Sequence, residues 1–88
     1  MTINIKDLKN KIIYRANYRG TKEMDKLLGS FVKIYIDQLI EDDLLLLCDL
    51  LDYDDENLYK FNQGLQPTIE IKNNKVTELF KNFEYVNE

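Results

Sequence analysis

Met24, Leu27, Leu28, Phe31, Val32 and Tyr35 recur at steps of three and four residues, directly after the pair Arg19-Gly20. On a helix this spacing makes one apolar stripe; on a strand it would scatter the same residues over both faces. It predicts a helix over about 22–38. Gly29 interrupts the stripe at a propensity cost of about 1 kcal/mol relative to alanine, which points to a second helix passing close. Ile34-Tyr35-Ile36 is apolar on several sides, so this helix is expected to be the most buried.

The rest of the chain follows the same period in shorter pieces. Asn4 suits a helix N-cap, with Asp7 three residues later, and Ile5, Leu8, Ile12 and Ile13 make a stripe for a first helix over about 5–18. Glu41-Asp42-Asp43 suits a helix start, and leucines 44, 47 and 51 with Cys48 form one face of a third helix, widened by Leu45, Leu46 and Leu50. Asp54 or Asp55 can cap a fourth helix to about Gln63, with Leu58 and Phe61 inward. Gly64 to Pro67 is a connector. Thr68-Ile69-Glu70-Ile71 alternates like a strand but has no partner run, so it reads as extended loop or as the start of a longer final helix. Val76, Leu79, Phe80 and Phe83 give a last helix over about 73–84, and the tail Tyr85–Glu88 is expected to fray. Five short helices with short links predict a small all-α bundle, one domain over residues 1–88 with its ordered core at about 5–84.

Composition narrows the function. Eighty-eight residues bury roughly 60–65% of their unfolded surface, which leaves little room for a deep cavity. The chain has no histidine, so Ser-His and Cys-His nucleophilic pairs are excluded. One cysteine and no histidine make a zinc site improbable, and Cys48 reads as a small buried apolar group. Asp52, Asp54 and Glu56 alternate like the start of a calcium loop. Asn57 and Gln63, however, stand where that loop needs glycine and a bidentate glutamate, so the acids read as caps. The N-terminus lacks the apolar core of a secretory signal, and no apolar run is long enough to span a membrane. The expected setting is cytoplasmic; nine asparagines and nine isoleucines suggest an AT-rich, bacterial genome. Net charge is −4, but it is uneven. Residues 1–33 hold eight basic and three acidic residues, a net of +5; residues 34–88 hold four and thirteen, a net of −9. The molecule is expected to be electrically polar, either as two solvated faces or as a surface that steers an acidic partner.

The most informative stretch is Arg19-Gly20-Thr21-Lys22-Glu23-Met24-Asp25. The chain has ten lysines but only two arginines, Arg15 and Arg19, four residues apart and so on one helical face. Arginine offers a planar fork that lysine lacks, so its use here signals a geometric demand. The plainer reading is a helix junction. Gly20 would be a C′ residue ending the first helix, with Arg19 at the negative end of its dipole and Glu23 in the first turn of the next. The two readings are compatible, because a cap can also present charges outward.

Arg19-Gly20-x-x-Glu23, followed by Asp25, Leu27-Leu28-Gly29 and Phe31, resembles the signature of the SdhE-type flavinylation factors. Those are small helical assembly proteins for the flavoprotein subunit of succinate dehydrogenase. Leu50-Leu51, Asp54-Asp55, Leu58, an aromatic residue, Gly64 and Pro67 continue the likeness, over roughly residues 10–83. Thr21 stands where relatives usually carry an apolar residue, Phe61 where they usually carry tryptophan, and the link from Pro67 to Val76 is longer and more polar. The resemblance implies a non-enzymatic chaperone, expected to act as a monomer, that binds the flavoprotein before the dehydrogenase is assembled. It would promote covalent attachment of FAD to a histidine of that subunit without stably holding a cofactor itself. Arg19 and Glu23 would be the contact pair, Gly20 would allow close backbone approach, and Arg15, Tyr18 and Asp25 would frame the patch. Fumarate reductase flavoprotein is a natural second client. Two other readings stay open on the residues: a helical adaptor for another protein, and a nucleic-acid binder using the positive first third, which the acidic later helices disfavour.

Overall fold

Four of the five helices start where a side chain supplies an acceptor for the first free N–H groups. The computed structural model describes residues 4–85 and contains α1 (Ile5–Asn17), α2 (Lys22–Tyr35), α3 (Glu41–Leu51), α4 (Asp55–Asn62) and α5 (Lys75–Lys81). Asn4 Oδ1 accepts the Asp7 N–H at 3.2 Å, and Thr21 Oγ1 accepts the Met24 N–H at 3.2 Å. Asp54 caps α4 through the Asn57 N–H, and the Asn57 side-chain amide also holds the Asp54 carboxyl below the usual carboxylate range. Asn74 and Thr77 close a reciprocal capping box on α5. Only α3 starts without a side-chain cap; Glu41, Asp42 and Asp43 in its first turn face the positive end of its dipole instead.

The fold is all-α, with no strand among the described residues. α1 packs on α2 and α3, while α5 packs on α3 and α4. The shared core holds Ile12 and Ala16 of α1, Leu28, Phe31 and Val32 of α2, Leu44, Leu47, Leu50 and Leu51 of α3, Leu58 of α4, and Val76 and Phe80 of α5. Phe31 centres an aromatic cluster, its ring centroid 5.0 Å from Tyr35, 5.2 Å from Phe80 and 5.4 Å from Phe83. Gly29 allows the close approach expected of it: a Cβ there would stand 2.5 Å from Asn17 Oδ1 at the end of α1.

Several boundaries and faces differ from the sequence pattern. α2 stops at Tyr35 rather than near 38, because Gln38 N–H returns to Tyr35 C=O in a tight turn that carries Ile36 and Leu39 into the core. Ile34 is left exposed, as are Ile5 and Ile13 on α1; Ala16, outside the expected stripe, is fully buried instead. α5 is shorter than 73–84, ending as Phe83 N–H turns back to Phe80 C=O. Thr68–Ile71 is neither strand nor helix. Its start is pinned by Asn57 Oδ1, which accepts from Thr68 N–H at 2.7 Å and Thr68 Oγ1 at 3.0 Å. Of the tail Tyr85–Glu88 expected to fray, Tyr85 lies outside any helix, and residues 86–88 lie outside the described residues.

Asn62 is the polar keystone of the lower half. Its buried side-chain amide donates to the carbonyls of Phe80 and Phe83, both at 2.8 Å, capping the end of α5 from α4. Asn62→Ala leaves both carbonyls without that partner, and is expected to cost about 1–3 kcal/mol. Chemical denaturation that shows the parent midpoint for this variant would rule the capping role out.

Candidate functional site

The Arg-Gly corner joins α1 to α2. Tyr18 is the C-cap of α1, so Arg19 is the C′ residue and Gly20 lies one position further out than the sequence pattern placed it. Gly20 has φ +125°, a conformation that residues with a Cβ rarely adopt. The Arg19 N–H donates to Asp25 Oδ1 at 2.5 Å, so the first turn of α2 holds the last turn of the junction.

The Arg19 side chain turns inward. Nε donates to Asp55 Oδ1 at 2.8 Å, Nη1 to the Leu51 carbonyl at 2.7 Å, and Nη2 to the Tyr53 carbonyl at 2.7 Å. Leu51 ends α3 and Asp55 opens α4, so one guanidinium satisfies the end of one helix and fixes the start of the next. Arg15, one turn earlier, donates to the Asp52 carboxylate and, at 3.5 Å, to the Cys48 carbonyl. Arginine was indeed chosen for its fork, but the fork closes on this chain. The expectation that Arg19 stands outward as half of a contact pair is therefore revised. Each of its three nitrogens has an internal acceptor, and the side chain is 11% exposed.

Other members of the motif do face solvent. Tyr18 is 70% exposed and Tyr14 66%, their ring centroids 4.7 Å apart in a tilted stack. Gly20, Thr21, Lys22 and Glu23 are exposed, and Glu23 forms no ion pair with any described residue. The six residues singled out by sequence thus lie on one corner but divide in two. Tyr18, Gly20 and Glu23 form its outer surface, while Arg15, Arg19 and Asp25 brace it from behind. Sequence reasoning missed Tyr14, although its i, i+4 relation to Tyr18 was a usable signal. It also missed Asp52 and Asp55 as arginine partners, for which no local signal exists.

The uneven charge is partly neutralised by ion pairs within the chain, two of them at the surface. Lys9–Asp37, Arg15–Asp52 and Arg19–Asp55 each join the basic first third to the acidic remainder, so the two halves do not stand as separate faces. Three of the eight basic residues of the first third are thereby paired, which weakens the positive surface that a nucleic-acid reading required. Burial pushes the half-buried Cys48 thiol above its ordinary pKa, against the pull of Arg15, so it stays a neutral thiol near pH 7. Among the described residues no group of acidic or cysteine side chains converges as metal ligands do, and no buried side-chain nitrogen or oxygen lacks a partner. No helix among the described residues is long and apolar enough to cross a membrane.

What the fold and this corner define is a small all-helical domain whose α1–α2 junction, at Gly20, is stapled to the α3–α4 junction by arginine. The model of the family described as flavinator of succinate dehydrogenase matches residues 10–84, from within α1 to beyond α5, and the chain belongs to that family. No curated protein and no solved structure matches it.

Proposed function

We propose that this protein binds the flavoprotein subunit of succinate dehydrogenase and promotes covalent attachment of FAD to a histidine of that subunit, with fumarate reductase flavoprotein as a second client. The family match over residues 10–84 carries this reading. The exposed corner supports it by supplying a surface for a partner: an aromatic stack at Tyr14 and Tyr18, bare backbone at Gly20, and the carboxylate of Glu23. The chain has no histidine and no nucleophile–base pair, which fits a conformational assistant. The bond-forming chemistry belongs to the flavoprotein and its flavin; the factor favours the subunit conformation in which the histidine and flavin meet. Tyr18, Gly20 and Glu23 make the contact, and Arg15, Arg19 and Asp25 hold them in shape.

Co-expression of the flavoprotein subunit with and without this chain tests the proposal, scored by covalent flavin fluorescence of the denatured subunit. Flavinylation is expected to rise with the chain present; equal signal in both cultures refutes the function. Glu23→Ala and Tyr18→Ala are expected to keep parent helicity and melting temperature. Each should weaken partner binding by about 2 kcal/mol, the scale of an interface hot spot. Full affinity in both variants would move the contact away from this corner.

A further inference from the structure

Glu23 also borders a cleft of about 850 Å³ between the start of α2, α4 and the end of α5. Lys22, Lys26 and Lys81 stand on its walls with Tyr59, Phe83 and Tyr85. None of these three lysines forms an ion pair with a described residue, whereas Lys9, Arg15, Arg19, Lys60 and Lys75 each do. Three of the seven basic residues that form no ion pair among the described residues thus line one concavity that also has aromatic walls, while Lys6, Lys11, Lys33 and Lys72 do not line it. Lys22 and Lys26 lie one turn apart and share a face of α2. Glu23 and Glu84 line the same cleft, which selects among anions. A nucleic acid or polyphosphate, charged at every repeat, would meet both glutamates. A peptide carries its carboxylates singly and can set them against lysines alone.

We propose that this cleft takes an extended acidic segment of the flavoprotein client. Its carboxylates pair with Lys22, Lys26 and Lys81, and an apolar side chain lies against Tyr59 and Phe83. The inference rests on the function proposed above and adds a second contact to it, continuous with the first because Glu23 belongs to both. Charge pairing at an open cleft acts mainly on encounter and is weakened by salt.

The test is the affinity of the full chain for purified flavoprotein subunit at low and at physiological salt, for the parent, for Lys26→Glu/Lys81→Glu, and for Lys26→Arg/Lys81→Arg. The parent is expected to bind more weakly as salt rises. The glutamate pair should lose about tenfold or more at low salt and most of the salt dependence, at unchanged melting temperature. The arginine pair should bind as the parent does. Parent-like binding by the glutamate pair, while Glu23→Ala is weakened, overturns the cleft and leaves the proposed function standing. Loss in the arginine pair equal to that in the glutamate pair also overturns it, because charge would then not be the cause. Salt-sensitive binding of an RNA oligonucleotide, lost in the glutamate pair while flavoprotein binding is kept, overturns it in favour of a different ligand. No binding by the parent overturns both readings together.

Discussion

Arg19→Ala is expected to destabilise the isolated domain by about 2–4 kcal/mol, with no partner present. Three charge-assisted hydrogen bonds disappear with the guanidinium. The Asp55 carboxylate, 27% exposed, loses its cation, and the Leu51 and Tyr53 carbonyls lose a donor at the end of α3. Breaking a fully buried pair costs about 3–5 kcal/mol; the estimate here is lower because water reaches Asp55. Against a total of about 5–15 kcal/mol for a domain of this kind, that is a large share. Arg19→Lys should recover only part, since an ammonium cannot span two carbonyls and a carboxylate in one plane. The measurement is the denaturation midpoint at constant m. The reading of Arg19 as an outward contact residue expects the opposite, an unchanged melting temperature and a loss confined to partner binding, whereas the reading of Arg19 as part of a helix junction expects a loss of stability. A parent-like melting temperature would return Arg19 to the outer surface and undo the assignment made here. Asp55→Asn is the matching control, because it weakens the same staple from the far side without altering any residue of the motif. If Arg19→Ala and Asp55→Asn reduce flavinylation in step with their loss of stability, arginine acts by shaping the corner. Glu23→Ala, which touches no internal bond, should reduce it without such a loss.

Leu47→Asp is expected to abolish folding. Leu47 is 0% exposed and sits in the middle of α3, the helix that packs on both α1 and α5. Losing the leucine burial alone costs about 2–5 kcal/mol. The aspartate must also either ionise in an apolar site or stay protonated at neutral pH, and either course adds several kcal/mol. The sum is comparable to the whole stability of the domain. Far-UV circular dichroism and amide dispersion report the result directly, and a folded Leu47→Asp variant would mean that α3 presents another face. Leu45→Asp, two residues away, is the contrast. Leu45 is 40% exposed, so its replacement is expected to cost no more than about 1 kcal/mol. The spacing 44, 47, 48 and 51 already set Leu47 on the main face of α3 and Leu45 on its flank; how much of that flank stays exposed depends on how α3 packs.

What the chain determined by itself is what neighbouring residues can decide. The bounds of α1 and α3 came within a residue of the observed ones, and Asn4 and Asp54 cap as read, because a cap and an apolar stripe act over three or four residues. The scarcity of arginine marked Arg15 and Arg19 as geometrically special, and the motif pointed to the family whose model matches residues 10–84. Their direction was settled by contacts that span the chain. Arg19 meets Asp55 thirty-six residues away and Arg15 meets Asp52 thirty-seven away. The same holds for Asn62 under Phe80, for Ile34 left in solvent, and for the unpaired lysines around the cleft. A side chain points inward or outward according to which acceptors and apolar surfaces the folded helices bring to it, and that depends on how whole helices pack rather than on the order of residues along any one of them.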